Sequence, residues 1–201
     1  MTTSRSALIY SDAVLGYDFG PQHPLQPVRY KLTHDLMAAY GLFESEVALV
    51  PPRAATDAEL ELVHEPGFIS TVKALGEAGA GSVPRAGIGG TDNPVFPGMH
   101  EVSALVAGGS ILAAEQVMSG RLDIAFNIAG GLHHALPARA SGFCVYNDPA
   151  IAIAWLLRNG ADRVVYIDTD AHHGDGVQWI FYDEPRVMTI SIHESGRYLF
   201  P

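Results

Sequence analysis

The chain has 201 residues, 48% of them hydrophobic, which is enough for one globular domain with a real core and too few for two of ordinary size. Twelve Lys and Arg against 22 Asp and Glu leave a net charge of -10 and a pI near 5.2, so a clustered positive field for nucleic acid is not expected, whereas a basic partner such as a lysine-rich peptide stays open. The single Cys144 cannot close an internal disulfide, the start MTTSRSALIY lacks the apolar core of a signal peptide, and no run approaches the roughly 18 apolar residues of a membrane span. A cytoplasmic protein without membrane function is expected.

Pro27 opens a helical pattern in which Val28, Leu32, Leu36 and Tyr40 recur at helical spacing up to Gly41, a C-terminal cap. A second helix is expected from Thr56, where Thr56-Asp57-Ala58-Glu59 matches a capping box. Residues 79–97, dense in Gly and Pro, read as a long loop of the kind that often carries function. Residues 100–120 suit a helix, after which short apolar runs alternate with helices. Residues 122–128 are a buried-strand candidate, Asp148 and Pro149 suit the N-cap and first turn of a helix ending near Gly160, and 163–167 (RVVYI) is a β-branched run. A helical stretch at 176–182 then leads to a further strand at 186–192. This alternation predicts a parallel α/β sheet, whose ligands sit beyond the carboxyl ends of the strands.

Two polar clusters fall at such strand ends. Gly130-Gly131-Leu132-His133-His134 follows the first strand, and Asp168-Thr169-Asp170-Ala171-His172-His173-Gly174-Asp175 follows the second. Alternate residues of an extended segment share a face, so Asp168, Asp170 and His172 are expected to project the same way. That spacing suits a carboxylate and an imidazole on one metal ion, with Asp170 and His172 as ligands. Catalytic zinc takes three protein ligands and keeps one position for water. The remaining two histidines and two aspartates suggest two His–Asp pairs, the carboxylates orienting the imidazole tautomers. Taken singly, His23, His34, His64, His100 and His193 read as ordinary polar residues. The DTDAHHGDG cluster does not, because so many charges at one strand end would repel without a cation.

At this point the sequence resembles the histone deacetylase family, most closely its bacterial acetoin-utilisation branch. The likeness runs through GYDFGPQHPLQPVRYKLT, TDAELELVHEPGFI, GGLHHALPARASGFCVYND, YIDTDAHHGDGVQWIFY and VMTISIHESGRYLFP. The resemblance implies an open α/β domain with a mainly parallel sheet flanked by helices. It implies zinc ligation by Asp170 and His172, with His134 as general base and acid backed by Asp175, and His133 as its electrostatic partner backed by Asp168. It further implies Phe143 and Phe200 as aromatic walls of an acyl-lysine tunnel, Gly142 as its floor, Asp92 as the carboxylate holding the substrate backbone, and Arg29 as an inner-channel arginine. A structural potassium ion would use backbone oxygens of Asp168, Asp170, His172 and Ile192 with the Ser191 hydroxyl. Family members continue past this point with a third zinc ligand and a glycine-rich segment bearing a tyrosine. Neither is present here, so the chain is expected to be an amino-terminal portion, inactive by itself.

The expected chemistry of the complete enzyme is hydrolysis of an acetyl-lysine side chain or another acetylated amine, with zinc or ferrous iron as the ion. Two other readings stand beside it. A binuclear ureohydrolase of the arginase kind would need a carboxylate two residues after His172, where this chain has Gly174. A non-catalytic fragment that binds a metal or an acetylated peptide would fit the chain's length.

Overall fold

A computed structural model describes residues 5–201 apart from positions 46, 80 and 82. The first four residues of the MTTSRSALIY stretch and two positions of the 79–97 loop therefore lie outside the described residues. Strand β1 (Ser6–Ile9) is central to one parallel sheet, flanked by β2 (Val47–Val50) and β3 (Ile124–Asn127). Strands β4 (Val164–Asp168) and β5 (Val187–Ser191) form a second, two-stranded parallel sheet. Parallel strands need crossovers, and helices supply them. These are α1 (Val28–Ala39), α2 (Leu42–Ser45), α3 (Asp57–Leu60), α4 (Pro66–Ala78), α5 (Met99–Met118), α6 (Asp148–Arg158) and α7 (Asp175–Ile180).

The α/β class and the parallel pairing agree with the sequence reading, and four differences carry information. The ends of β3 and β4 converge, yet the two strands are not hydrogen-bonded to each other. Strand β1 is buried on both faces, but β3, β4 and β5 bury one face only: Phe126 and Ile124 on β3, Val165 and Ile167 on β4 and Met188 on β5 are all more than half exposed. Helix α1 turns Val28, Leu32, Leu36 and Tyr40 outward and packs instead through Tyr30, His34 and Met37, which repeat at the same helical interval. The helix expected from Thr56 is present but only one turn long. The capping box is present, but α3 stops at Leu60 and Pro66 begins α4.

Helix α5 lies at the middle, packed on β3, α4 and α6. It is apolar on most sides because it is covered on most sides, with Met99, Val106, Ala107 and Ile111 inaccessible. Helix α6 is capped by Asn147, whose side-chain oxygen accepts the Ala150 N–H at 3.0 Å, so Asp148 is the first helical residue rather than the cap.

In the link between α3 and α4, His64 is buried between two loops. Its Nδ1–H donates to the Leu136 carbonyl at 3.1 Å, and its Nε2 accepts the Asn147 N–H at 2.9 Å. Burial pushes the imidazole down to about 4, against the opposing pull of the Pro137 and Leu136 carbonyls. The folded state therefore binds fewer protons than the unfolded chain between about pH 6.5 and pH 4. This stabilisation is complete above 6.5 and lost as pH falls towards 4, on the order of 3 kcal/mol in total. Urea unfolding across that window should show a steep loss of stability in the native chain and a flatter one in His64→Gln, which cannot titrate; equal slopes would refute this assignment.

Candidate active site

Both polar clusters open onto one cleft of about 1090 Å³, lined by Arg29, Asp92, His133, His134, Gly142, Phe143, Asp168, Asp170, His172 and Phe200. Asp175 stands behind His134. Ser191 and Ile192, at the end of β5, lie outside the lining. The cleft is also walled by Phe126 and Ile128 on one side and by Tyr166 and Ile167 on the other. It thus reaches from the carboxyl ends of β3 and β4 into the gap between the two sheets.

His133 and His134 are both buried, with ring centroids 4.1 Å apart. Each gives its Nδ1 to a carboxylate: His133 to Asp168 Oδ2 at 2.5 Å and His134 to Asp175 Oδ1 at 2.6 Å. Hydrogen bonds of this charge-assisted kind fix the tautomer and turn Nε2 away from the carboxylate. Asp168 is held further by the Tyr166 hydroxyl and the Asp170 N–H. Burial acts to raise the Asp168 carboxyl, but the hydrogen bonds from His133, Tyr166 and Asp170 outweigh it and hold the group at about 2. On His133 the order is similar: burial acts to lower it, while the bond to Asp168 and the nearby charges of Asp170 and Asp175 turn the net shift upward.

The segment after β4 does not run extended. The Asp170 N–H folds back to Asp168 Oδ1 at 3.0 Å, and the His172 N–H folds back to Asp170 Oδ1 at 2.7 Å, two successive turns in which an aspartate bonds the peptide two residues on. These turns bring Asp170 Oδ1 to 2.8 Å from His172 Nδ1. The two atoms are hydrogen-bonded to each other, closer than the about 3.3 Å that two donors on one tetrahedral zinc would take. The His172 ring is edge-on to His134, with centroids 5.6 Å apart. Among the described residues no group of three or more His, Cys, Asp or Glu is arranged to hold a metal ion. Asp170 and His172 are thus two neighbouring donors, and a third is not beside them among the described residues. At the far side of Asp168, its carbonyl accepts the Ile192 N–H at 2.9 Å, and the Ser191 hydroxyl accepts the Gly174 N–H at 3.2 Å.

The aromatic lining is held by two residues, Tyr17 and His23, to which the sequence reading assigned no role at the site. Phe143 has a left-handed backbone (φ 70°), rare for a bulky side chain. The fully buried Tyr17 hydroxyl holds it there, donating to the Phe143 carbonyl at 2.8 Å and accepting the Val145 N–H at 3.0 Å. His23 packs edge-on against the Phe143 ring at 4.5 Å, while its Nε2 reaches the Asp92 carbonyl at 3.2 Å. His23 therefore ties two expected substrate-binding residues together. Gly142 has φ 50°, and a Cβ there would stand 2.5 Å from the His134 ring, so only glycine lets this turn lie on the imidazole. Phe200 meets His134 from the other side at 5.2 Å. Arg29 is exposed on the cleft wall, its guanidinium 5.3 Å from the Tyr30 ring centroid.

The sequence pattern of the histone deacetylase domain matches residues 23–201. The chain belongs to the histone deacetylase family. It is 50% identical over 201 residues to the acetoin utilization protein AcuC of Bacillus subtilis (strain 168), covering 98% of this chain and 51% of that protein. Identity to the AcuC of Staphylococcus aureus (strain MSSA476) is 44%, covering 99% and 51%. An HDAC homolog from Aquifex aeolicus superposes with a TM-score of 0.88 at 39% identity, over 98% of this chain and 53% of that one. An HDAC homolog complexed with SAHA gives 0.85 at 39% identity with the same coverage. The chain thus spans about half the length of the relatives it matches.

In this member of the histone deacetylase family, Tyr17→Phe leaves the Phe143 carbonyl and the buried Val145 N–H without their shared partner. The expected loss of unfolding free energy is about 1–3 kcal/mol, read by urea denaturation. A change within experimental scatter would show that the hydroxyl does not hold the Phe143 turn.

Proposed function

We propose that residues 1–201 are the amino-terminal portion of one catalytic domain that, when complete, hydrolyses the acetamide of acetyl-lysine or of another acetylated amine. The observation that carries this reading is the meeting, in one cleft, of two His–Asp pairs with the Asp170–His172 donor pair. Family membership and the acetoin-utilisation relatives support it. So does the similar structure described as complexed with SAHA, which supports a ligand-binding role for the fold.

Asp170 and His172 would hold a divalent ion, zinc or ferrous iron, which when bound supplies Lewis acidity towards the acyl carbonyl and lowers the pKa of water. The protein's own groups do the proton work. His134, with Nδ1–H committed to Asp175, has Nε2 free to take a proton from the attacking water and to return one to the departing amine. His133, its Nδ1 bonded to Asp168, is placed to be the electrostatic partner that stabilises negative charge on the tetrahedral carbon's oxygen. Phe143 and Phe200 would flank the methylene stem, Gly142 would meet the amide, Asp92 the substrate backbone, and Arg29 the departing acetate. Potassium would sit at the Asp168, Asp170, His172, Ser191 and Ile192 end of the second sheet. A single divalent ion is expected, since Gly174 offers no carboxylate to a second.

His134→Ala, in the chain carried on to the length of its relatives, should lower kcat on an acetyl-lysine peptide by about 10²–10⁴-fold while KM changes little. Near-normal turnover would refute the role. The 201-residue chain itself brings together two metal donors where catalytic zinc takes three. It is expected to bind zinc weakly and release no acetate, and calorimetric titration with acetate release, compared between the short and extended chains, checks this. Comparable turnover by the short chain would show that its own residues suffice.

A further inference from the structure

The segment that bears the two imidazoles, residues 131–136, is neither helix nor strand, yet Leu132, His133, His134 and Ala135 are buried. Its peptide groups need partners, and two consecutive side chains at the start of α6 supply four of them. Asp148 accepts the Gly131 N–H through Oδ2 at 3.2 Å and the Leu132 N–H through Oδ1 at 2.8 Å. Asn147 Nδ2 donates to the carbonyl of His133 and to that of Ala135, each at 2.9 Å. The backbone is thus gripped immediately before His133, at His133 itself and immediately after His134.

The grip is anchored from outside the loop. The Ser110 hydroxyl of α5 donates to Asp148 Oδ2 at 2.5 Å and itself accepts from Asn127 Nδ2 at 2.9 Å, so the end of β3 joins the network. Gly130 approaches so closely that a Cβ there would lie 2.5 Å from Asp148 Oδ2. Helix capping accounts for only one of these bonds, Asn147 Oδ1 to the Ala150 N–H. A first-turn aspartate can serve a helix from the surface. Here Asp148 is 1% exposed, and burial lifts its carboxyl to about 6 despite the bonds from Ser110, Leu132 and Gly131. A buried carboxylate is a costly way to begin a helix and an effective way to hold two loop N–H groups.

We infer that Asn147 and Asp148 are positioning residues that set the placement of His133 and His134 by clamping the backbone that carries them. The catalytic consequence rests on the function proposed above; the clamp itself does not.

The test uses three variants. Asn147→Ser keeps a capping oxygen for α6 but removes both donors to the loop, Asp148→Asn replaces one of the two accepting oxygens with an amide, and Thr56→Ala weakens the distant α3 cap as a control. In the 201-residue chain, the low-field proton resonances of the two Nδ1–H bonds to Asp168 and Asp175 are followed alongside thermal midpoints. Both resonances should move or broaden in Asn147→Ser and Asp148→Asn, and stay in place in Thr56→Ala even where its midpoint falls as far. Unchanged resonances in the two clamp variants would overturn the inference. If Asn147→Ser fails to fold, Asp148→Asn and Ser110→Ala decide in the same way. In the extended chain, kcat should fall about tenfold to a hundredfold with KM nearly constant, the scale expected when reacting groups are displaced by about 1 Å. Displaced resonances together with an extended wild-type chain that releases no acetate would uphold the clamp and count against the proposed reaction.

Discussion

Irregular backbone buried away from water must find other partners for every peptide group, and the stretch carrying His133 and His134 imposes that demand on everything around it. The start of α6 is placed to answer it, and so is His64, which joins the Leu136 carbonyl to the Asn147 N–H. Ser110 on α5 and Asn127 at the end of β3 complete the chain of bonds. The central packing of α5 on β3 and α6 is therefore a polar arrangement as much as an apolar one. Partly satisfied, such a network would cost more than an apolar core; fully satisfied, it specifies a single loop conformation.

The electrostatic logic of the cleft follows from that rigidity. With the imidazoles fixed, Asp168 and Asp175 meet them from the far side, and each carboxylate is committed to one ring. Asp170 is left exposed and bonded only locally, to the peptide and ring of His172. The acidic groups of residues 168–175 thus divide into two that orient the imidazoles and one, Asp170, that faces the open cleft.

The sequence made the strand ends and their polar clusters legible because charged residues crowded after an apolar run have few structural uses. The Asp148 carboxylate was hidden in plain view: at the first turn of a helix, aspartate looks like ordinary capping, and only burial reveals that it serves the neighbouring loop. Tyr17 and His23 were similarly invisible, since their partners Phe143 and Asp92 lie 126 and 69 residues away. Strands β1 and β2 are four residues each and present too little periodicity to read. The outward stripe on α1 shows the converse limit, because helical spacing identifies a face but not what covers it. The same holds for β3, whose apolar run suggested a buried strand and whose Ile124 and Phe126 are exposed.

The division into two sheets has a consequence for how firmly each half of the cleft is held. His133 and His134 hang from elements packed on α5, within the larger of the two buried apolar clusters. Asp170 and His172 follow β4, which among the described residues pairs with β5 alone. A two-stranded ribbon is marginal by itself, and regions with few buried neighbours open well below the global unfolding free energy. Amide hydrogen exchange should therefore run in two tiers, slow through α5 and α6 and fast through β4 and β5. An ion that bound Asp170 and His172 would draw the fast tier towards the slow one, and occupancy of the cleft would register as local stiffening of one edge rather than as a change in the fold.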